Sequence, residues 1–283
     1  MSNNNYHIET MTRDALLQAI DWAAEEGWNP GIRDLNTFYS ADPNGFLMGY
    51  LDDEPIASLS VVKYDTHFGF LGFYIVKPAY RGKGYGLALW QAGLAYLKGC
   101  NIGLDGVVEQ QPNYQKSGFQ LAYNNIRFEG LGGGRPPSSS ALVPLDRVPF
   151  NDIERYDRQC FPVARTAFLR KWLMQPGSIA LGIQQRGQLA GYGVVRPCRN
   201  GFKIGPLFAN DALQAEVLFL ALKSHVPASR PVFLDVPEVN GAALALAEKY
   251  RMTPVFSTAR MYTGDAPKIA LDRIFGVTTF ELG

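Results

Sequence analysis

The segment from Phe68 to Gly86 constrains this chain most, because it joins an apolar strand to a helix through a basic, glycine-rich turn. After the strand Phe68 to Val76, the turn places Arg81, Lys83 and three glycines directly before a helical apolar pattern. Such a turn leaves backbone N–H groups unpaired at a helix N-terminus, where the helix dipole favours an anion. Glycines let the backbone approach that anion closely. The sequence therefore predicts a phosphate or pyrophosphate site here.

Two common phosphate-binding loops do not match this turn. A P-loop requires Ser or Thr after its lysine, and Gly84 follows Lys83. A dinucleotide fingerprint read from Gly82 requires a last glycine at the position that Leu87 occupies. The turn therefore belongs to neither class.

The Arg-x-x-Gly-x-Gly pattern after a strand that ends in Val-x-Pro resembles the acetyl-CoA loop of the GCN5-related N-acetyltransferases (GNAT). A second segment, Tyr114 to Phe119, is similar to the Tyr-x-Lys-x-Gly-Phe segment that follows the fifth strand in that family. It follows a predicted helix, Leu87 to about Lys98, and a predicted strand, Ile102 to about Val108. Two elements in the right order and separation support the resemblance.

The resemblance implies acetyl-CoA as cosubstrate, with no metal, in a V-shaped gap between the strand that ends at Val76 and the strand from Ile102 to Val108. Tyr114 would be the general acid that protonates the departing CoA thiolate; the alternative is that its ring only packs under the cofactor. The implied cofactor-binding residues are Tyr74, Ile75, Val76, Arg81, Gly82, Lys83, Gly84, Tyr85 and Gly86.

The general base is left open by the sequence, because the strand Phe68 to Val76 carries no Asp, Glu or His where many relatives place a Glu. The possible acceptor-site or base residues are Glu109, Asp105 and Trp28, with His67 less favoured, and a water chain is an alternative. Trp28, Tyr39 and Phe73 are candidates for the walls of an acceptor pocket, and the segment 235–240 is a further candidate.

At 283 residues the chain is expected to hold two domains. We expect a Gly/Pro/Ser-rich linker at 131–141 to separate two regions. The first, at 1–130, is by the resemblance an acetyl-CoA-binding GNAT domain that ends in a strand pair around 121–128, and the second is a degenerate GNAT-like domain at 142–283. We expect an α/β fold class of two GNAT-like domains, each with a mixed, mostly antiparallel sheet flanked by helices.

A weak internal duplication supports this division. Asp105 matches Asp235 within similar strands, and Arg127 and Arg260 lie eight residues past Phe119 and Met252. Since Asp105 recurs in this way, a fold role such as pairing with an arginine is expected for it. The second copy has Phe208-Ala209-Asn210-Asp211 at its loop and Ala247 in place of Tyr114, which predicts a degenerate domain that has lost its chemistry.

Composition and charge limit the kinds of partner and bound metal that are expected for this chain. The net charge of +1 gives no electrostatic argument for nucleic acid or membrane binding. Three cysteines show no zinc or disulfide spacing. The polar N-terminus does not resemble a signal peptide, and a cytoplasmic protein, monomer or homodimer, is expected.

The expected activity is transfer of an acetyl group from acetyl-CoA to a primary amine of a small molecule, by direct attack in a ternary complex. The alternatives are a non-catalytic acyl-CoA sensor and a protein or peptide N-acetyltransferase.

Overall fold

The computed structural model describes residues 5–283, so the expectation that the N-terminus is not a signal peptide falls partly, at residues 1–4, outside the described residues. The helices are α1 Arg13–Glu25, α2 Asp34–Ala41, α3 Tyr85–Tyr96, α4 Gln111–Gln115, α5 Phe150–Cys160, α6 Thr166–Leu173, α7 Ala212–Ser224 and α8 Gly241–Lys249. The strands are β1 Tyr6–Thr10, β2 Phe46–Leu51, β3 Glu54–Lys63, β4 Phe68–Val76, β5 Asn101–Val107, β6 Gln120–Leu131, β7 Leu142–Pro144, β8 Ile179–Gln185, β9 Gln188–Pro197, β10 Phe202–Ala209, β11 Pro231–Pro237, β12 Thr253–Tyr262 and β13 Ile274–Gly276.

All these strands join one continuous sheet in the order β1-β2-β3-β4-β5-β12-β6-β11-β10-β9-β8-β7, with β13 paired to β10. The pairs β4–β5 and β10–β11 are parallel, and the other pairs along this order are antiparallel. The predicted mixed, mostly antiparallel α/β fold is confirmed. The sequence did not predict that the two halves would share a single sheet.

The halves exchange their last strands. β12, from the second half, lies between β5 and β6 of the first half, and β6 pairs with β11 of the second half. The prediction of a strand pair around 121–128 was therefore wrong: these residues form one twelve-residue strand, β6. A local hairpin partner is unnecessary because both neighbours of β6 come from the other half.

Two reciprocal ion pairs accompany the exchange. Arg127 on β6 lies opposite Asp235 on β11, and its Nε and Nη2 atoms bind the two carboxylate oxygens at 2.6 and 2.8 Å. Arg260 on β12 lies opposite Asp105 on β5, with the same atoms at 2.8 and 2.6 Å. All four side chains are buried. The duplication seen in the sequence thus appears as two equivalent pairs, each joining one half to the other.

Helix packing joins the halves a second time. Phe38 on α2 stacks on Trp172 on α6 with ring centroids 6.3 Å apart, in a core cluster to which both halves contribute. Beside this contact Arg196 on β9 binds the buried carboxylate of Asp34 on α2, with Nε and Oδ1 3.1 Å apart. The fold therefore fixes the two halves relative to each other through both the sheet and a helical layer.

We predict that Arg260→Met lowers the free energy of unfolding by about 3–5 kcal/mol, because it leaves the buried Asp105 carboxylate without its cation. Urea unfolding followed by circular dichroism measures this change. Lys249→Met, which breaks an exposed pair with Glu216, serves as control and should cost less than about 1 kcal/mol.

The double variant Asp105→Asn/Arg260→Met should be more stable than Arg260→Met alone, since the uncompensated charge is then absent. An Arg260→Met midpoint equal to that of the parent protein would show that the pair does not hold the exchanged strand.

Candidate active site

A cleft of about 1030 Å³ opens where β4 and β5 separate. The two strands pair in parallel from Phe68 opposite Asn101 to Leu71 opposite Leu104. Beyond that point residues 72–76 line one side of the cleft and residues 105–107 line the other. This is the V-shaped gap that the sequence predicted, and it leaves an unpaired edge of β4 facing the cavity.

A bulge in β4 marks the point of separation. Phe73 has φ of 47°, an uncommon backbone conformation for a bulky residue, and the pairing with β3 shifts between Ser58 and Ser60. The Ser58 hydroxyl donates to the Phe73 carbonyl over 2.8 Å. The surrounding structure thus holds a strained residue at the mouth of the gap, which is typical of functional sites.

The basic turn forms the outer end of the cleft. Gly82 and Gly84 have φ of 75° and 89°, which side chains rarely adopt, and α3 begins at Tyr85 without a side-chain cap. The first N–H groups of α3 are consequently left for a ligand. Gly86 permits close packing on β4, because a Cβ there would lie 2.7 Å from the Tyr74 hydroxyl and 2.8 Å from a Val76 methyl.

The two basic side chains of the turn differ in placement. Arg81 lines the cleft; its Nε donates to the Val76 carbonyl over 2.7 Å, and its Nη2 binds Glu26. Lys83 is exposed, and its ammonium lies 5.5 Å from the Tyr80 ring centroid. Of the nine predicted cofactor-binding residues, Lys83 and Tyr85 do not line the cleft, whereas Tyr74, Ile75, Val76, Arg81, Gly82, Gly84 and Gly86 do.

Tyr114, on α4, lies between the two strands of the gap. Its ring stacks on Trp90 at 5.6 Å and rests on Gly106, where a Cβ would collide with it. The residue is 8% exposed and lines the cleft. Burial raises the pKa of the phenol to about 12, and Tyr74 contributes a smaller increase. A hydrogen bond with the Val107 backbone acts in the opposite direction. Tyr114 therefore stays protonated across the physiological range.

The candidates for the general base or the acceptor site differ in whether they line the cleft. Asp105 lines the cleft, but Arg260 binds both of its carboxylate oxygens and Asn125 binds one of them, so it has the fold role expected from its repetition. Glu109 is exposed in the turn after β5 and does not line the cleft, and neither does His67. Trp28 does line it.

The far end of the cleft is built by the second half. Phe256 and Thr258 on β12 line it, together with Phe280 and Glu281 from residues 277–283, here called the tail segment. The expected contribution of residues 235–240 is not found, because none of them lines the cleft, and Tyr39 does not either. Sequence reasoning missed the tail segment, because it lies beyond the last matched unit of the duplication.

Sequence comparison matches residues 13–119 to the acetyltransferase (GNAT) family and residues 153–276 to an acetyltransferase (GNAT) domain. A holothin acyltransferase of Pseudoalteromonas sp. (strain SANK 73390) is 30% identical over 263 residues, which cover 93% of this chain and 90% of that protein. This chain belongs to the GNAT acetyltransferases. It has the tandem two-domain form, and the family supports N-acetyltransferase activity.

Solved structures share this tandem GNAT fold. A crystal structure from Pyrococcus horikoshii has a TM-score of 0.83 at 23% identity and covers 100% of this chain and 99% of its own. A tandem GNAT protein from the clavulanic acid biosynthesis pathway has a TM-score of 0.64 at 15% identity, covering 93% of this chain and 100% of its own.

The gap of the second GNAT half is filled by the chain itself. β10 and β11 pair from Phe202 opposite Val232 to Ile204 opposite Leu234, and β13 then pairs with the rest of β10. At the start of α7 the Asp211 carboxylate accepts from the Gln214 N–H over 2.9 Å, at the position where a phosphate would bind. Both features explain in physical terms why this half lacks the loop motif.

Neither a metal site nor a membrane span is seen in residues 5–283. The His, Cys, Asp and Glu side chains of that range form no cluster of three or more suited to a metal. Its helices are all too short or too polar to cross a membrane.

We predict that this GNAT protein binds one acetyl-CoA per chain and that Gly84→Asp strongly weakens binding. Gly84→Asn is the matched control: both side chains tolerate a positive φ, but only Asp places a negative charge against the N-terminus of α3. Isothermal titration calorimetry should show affinity at least about tenfold lower for Asp than for Asn, a difference of about 1.4 kcal/mol.

Equal affinities of the two variants would contradict an anion site in the turn. A stoichiometry of two would contradict the occlusion of the second gap by β13.

Proposed function

We propose that this protein transfers the acetyl group of acetyl-CoA to a primary amine of a small molecule, by direct attack in a ternary complex. The observation that carries the proposal is the continuity of the cleft. It joins the uncapped start of α3 at one end, Tyr114 in its course, and an enclosure made by the second half at the other. A two-substrate reaction requires such an arrangement.

The chain would hold the cofactor along β4. The pyrophosphate would accept hydrogen bonds from the N–H groups of the turn between Arg81 and Gly86, where the helix dipole supports it. The pantetheine arm would pair with the free edge of β4 at Tyr74 to Val76, as an added strand does. The thioester would then lie at the bulge, where a β4 N–H can stabilise the oxyanion.

Tyr114 would donate a proton to the departing thiolate. Its phenol remains neutral at working pH because burial raises the pKa to about 12, and it lies beside the gap through which the cofactor would pass. A weak acid suffices, since the thiolate is itself only modestly basic, with a thiol reference pKa of about 8.5.

A small acceptor fits the enclosure better than a protein segment does. Trp28 from the first half and Phe256 and Phe280 from the second supply apolar walls, which suit the body of a small molecule. The relative named holothin acyltransferase makes holothin a sensible member of any acceptor panel.

The proposal places the enzyme in the cytoplasm. All three cysteines, Cys100, Cys160 and Cys198, are free thiols, as a reducing compartment maintains them. Localisation of a tagged protein by cell fractionation would test this placement.

A steady-state assay of CoA thiol release tests the function. A panel that contains holothin, 2-phenylethylamine, aniline and a lysine-containing peptide should give turnover with at least one small amine, and the acetylated product should be seen by mass spectrometry. Turnover with the peptide alone would favour a protein or peptide acetyltransferase. Acetyl-CoA binding without turnover on any amine would contradict the proposed function.

We predict that Tyr114→Phe lowers kcat by about 10²–10⁴-fold, the usual worth of a general acid, while the Kd for acetyl-CoA stays unchanged. Tyr250→Phe, at a half-buried residue of the second half that does not line the cleft, is the control and should keep full activity. Because the Tyr114 phenol has a pKa of about 12, its ionisation should cause no alkaline loss of kcat below about pH 10. Unchanged kcat in Tyr114→Phe would remove it from the mechanism.

A further inference from the structure

We infer that Glu281 is the catalytic base of this enzyme and the group that binds the acceptor as an ammonium ion. The inference rests on the proposed function and names the class of its substrate: primary amines that are protonated in solution. The strand β4 carries no carboxylate, and the tail segment, from the other half of the chain, brings Glu281 to the cleft beside Gly72 of β4.

The position of Glu281 is set by close packing on the β4 bulge. A Cβ at Gly72 would collide with the Glu281 carbonyl oxygen and would lie 3.1 Å from its Cα, so only glycine at 72 lets the tail segment lie here. Gly72 directly follows Leu71, the last residue of β4 that pairs with β5. Glu281 therefore lies at the reactive end of the cleft, away from the phosphate-binding turn.

The tail segment is held firmly. The Thr279 hydroxyl donates to the Glu281 carboxylate and accepts from the Glu281 N–H, which orients the side chain. Tyr64 donates to the Leu282 carbonyl over 2.9 Å, and Arg165 donates to the Thr278 hydroxyl over 2.8 Å. A base in this position is preorganised, as efficient proton transfer requires.

A second polar group at the same end of the cleft lacks a partner. The Thr258 hydroxyl is buried, its residue 3% exposed, and it makes no hydrogen bond with any described residue. Buried hydroxyls without a partner are rare in folded proteins, so this one suits a ligand in the cleft. Thr258 and Glu281 together offer an N–H-bearing acceptor a hydroxyl and a carboxylate.

The charges around Glu281 come from three strands. Burial lowers the pKa of the Arg127 guanidinium on β6, but Asp235 and, more weakly, Glu281 raise it above its ordinary value. Burial and, as a smaller effect, Arg127 lower the pKa of Lys203 on β10. Asp235 and Glu281 act in the opposite direction but do not restore its ordinary value. Burial lowers the pKa of Arg196 on β9, but Asp34 and, as a smaller effect, Glu281 raise it above its ordinary value.

None of these cations neutralises Glu281 directly. Arg127 is bound by Asp235, Arg196 by Asp34, and Lys203 lies 3.9 Å from Asp235. Within residues 5–283 no lysine, arginine or histidine lies within 4.0 Å of the Glu281 carboxylate. Glu281 therefore makes no direct ion pair with a described residue, although Lys203, whose Nζ makes no hydrogen bond, adds positive charge nearby. The ammonium of the acceptor would supply the direct contact that these cations do not make.

Glu281 and Tyr114 share the proton transfers of the acetyl-transfer step. Glu281 takes one proton from the ammonium, and the freed nitrogen lone pair forms the N–C bond with the thioester carbonyl carbon. The C–S bond breaks as the tetrahedral intermediate collapses, and Tyr114 gives its proton to the thiolate. The amide nitrogen loses its second proton, which restores the phenol through water. Glu281 then releases its proton to solvent, so one ammonium and one acetyl-CoA give one amide, one CoA thiol and one proton.

Three variants test the inference. Glu281→Gln keeps the size of the side chain and removes its charge, Glu281→Asp keeps the charge, and Glu248→Gln removes an exposed carboxylate on α8 as a control. Each is measured for thermal unfolding, for acetyl-CoA affinity by calorimetry, and for kcat/KM between pH 6 and 10 with 2-phenylethylamine and aniline.

We expect Glu281→Gln to bind acetyl-CoA with unchanged Kd but to lose about 10²–10⁴-fold in kcat/KM for 2-phenylethylamine at pH 7. Since only the unprotonated amine would then react, its kcat/KM should rise about tenfold per pH unit up to the amine pKa, whereas the parent profile stays flatter. Glu281→Asp should recover part of the activity. Aniline, neutral at pH 7, should lose much less.

The inference and the proposed function fail in different ways. Parent-like kcat/KM in Glu281→Gln, or equal losses for both amines with no change in pH profile, would overturn the role of Glu281 and leave acetyl transfer standing. If the parent acetylates neither amine, calorimetry with 2-phenylethylamine in the presence of CoA decides. Binding that is at least tenfold weaker in Glu281→Gln supports the ammonium site, and equal or absent binding overturns it.

Discussion

The exchange of β6 and β12 between the halves, together with its two buried Arg–Asp pairs, is the interaction on which the rest of the structure depends. The Arg127 guanidinium shows why. It binds Asp235 across the exchanged strand, donates to the Trp28 carbonyl over 2.8 Å, and lies 4.8 Å from the centroid of Phe280. One buried cation thus joins the two halves and also contacts two residues that line the cleft, so the assembly of the halves and the shape of the cleft depend on the same side chain.

The sequence predicted the geometry of the turn end of the cleft well, because that end is local. The strand that ends at Val76, the turn with Gly82 and Gly84, and the helix after it are contiguous, and a positive φ requires glycine wherever it occurs in the fold. The position of Tyr114 at the cleft was predicted in the same way, from a short motif at a fixed sequence separation from the turn. Local geometry is encoded by neighbouring residues, so a reading of neighbours can recover it.

The end of the cleft that the second half lines could not be predicted, because it is made by contacts between residues far apart in the chain. Glu281 meets Gly72 across more than 200 positions, and no periodicity links the two. The repeated Asp105 and Asp235 did indicate arginine partners, but not that each partner would come from the opposite half. A repeated Asp and Arg in each half is compatible with ion pairs within each half and also with ion pairs between the halves. Only the order of the strands in the sheet distinguishes the two arrangements.

The strand exchange also has a consequence for biosynthesis. When the ribosome has completed β6, the neighbours that it needs, β11 and β12, do not yet exist, and β5 lacks its partner as well. An emerging first half therefore carries open strand edges, which are prone to pair with other chains. Native pairing must wait until β12 has left the exit tunnel. Chaperone protection of nascent chains is consequently more important for this protein than for one whose two domains close independently.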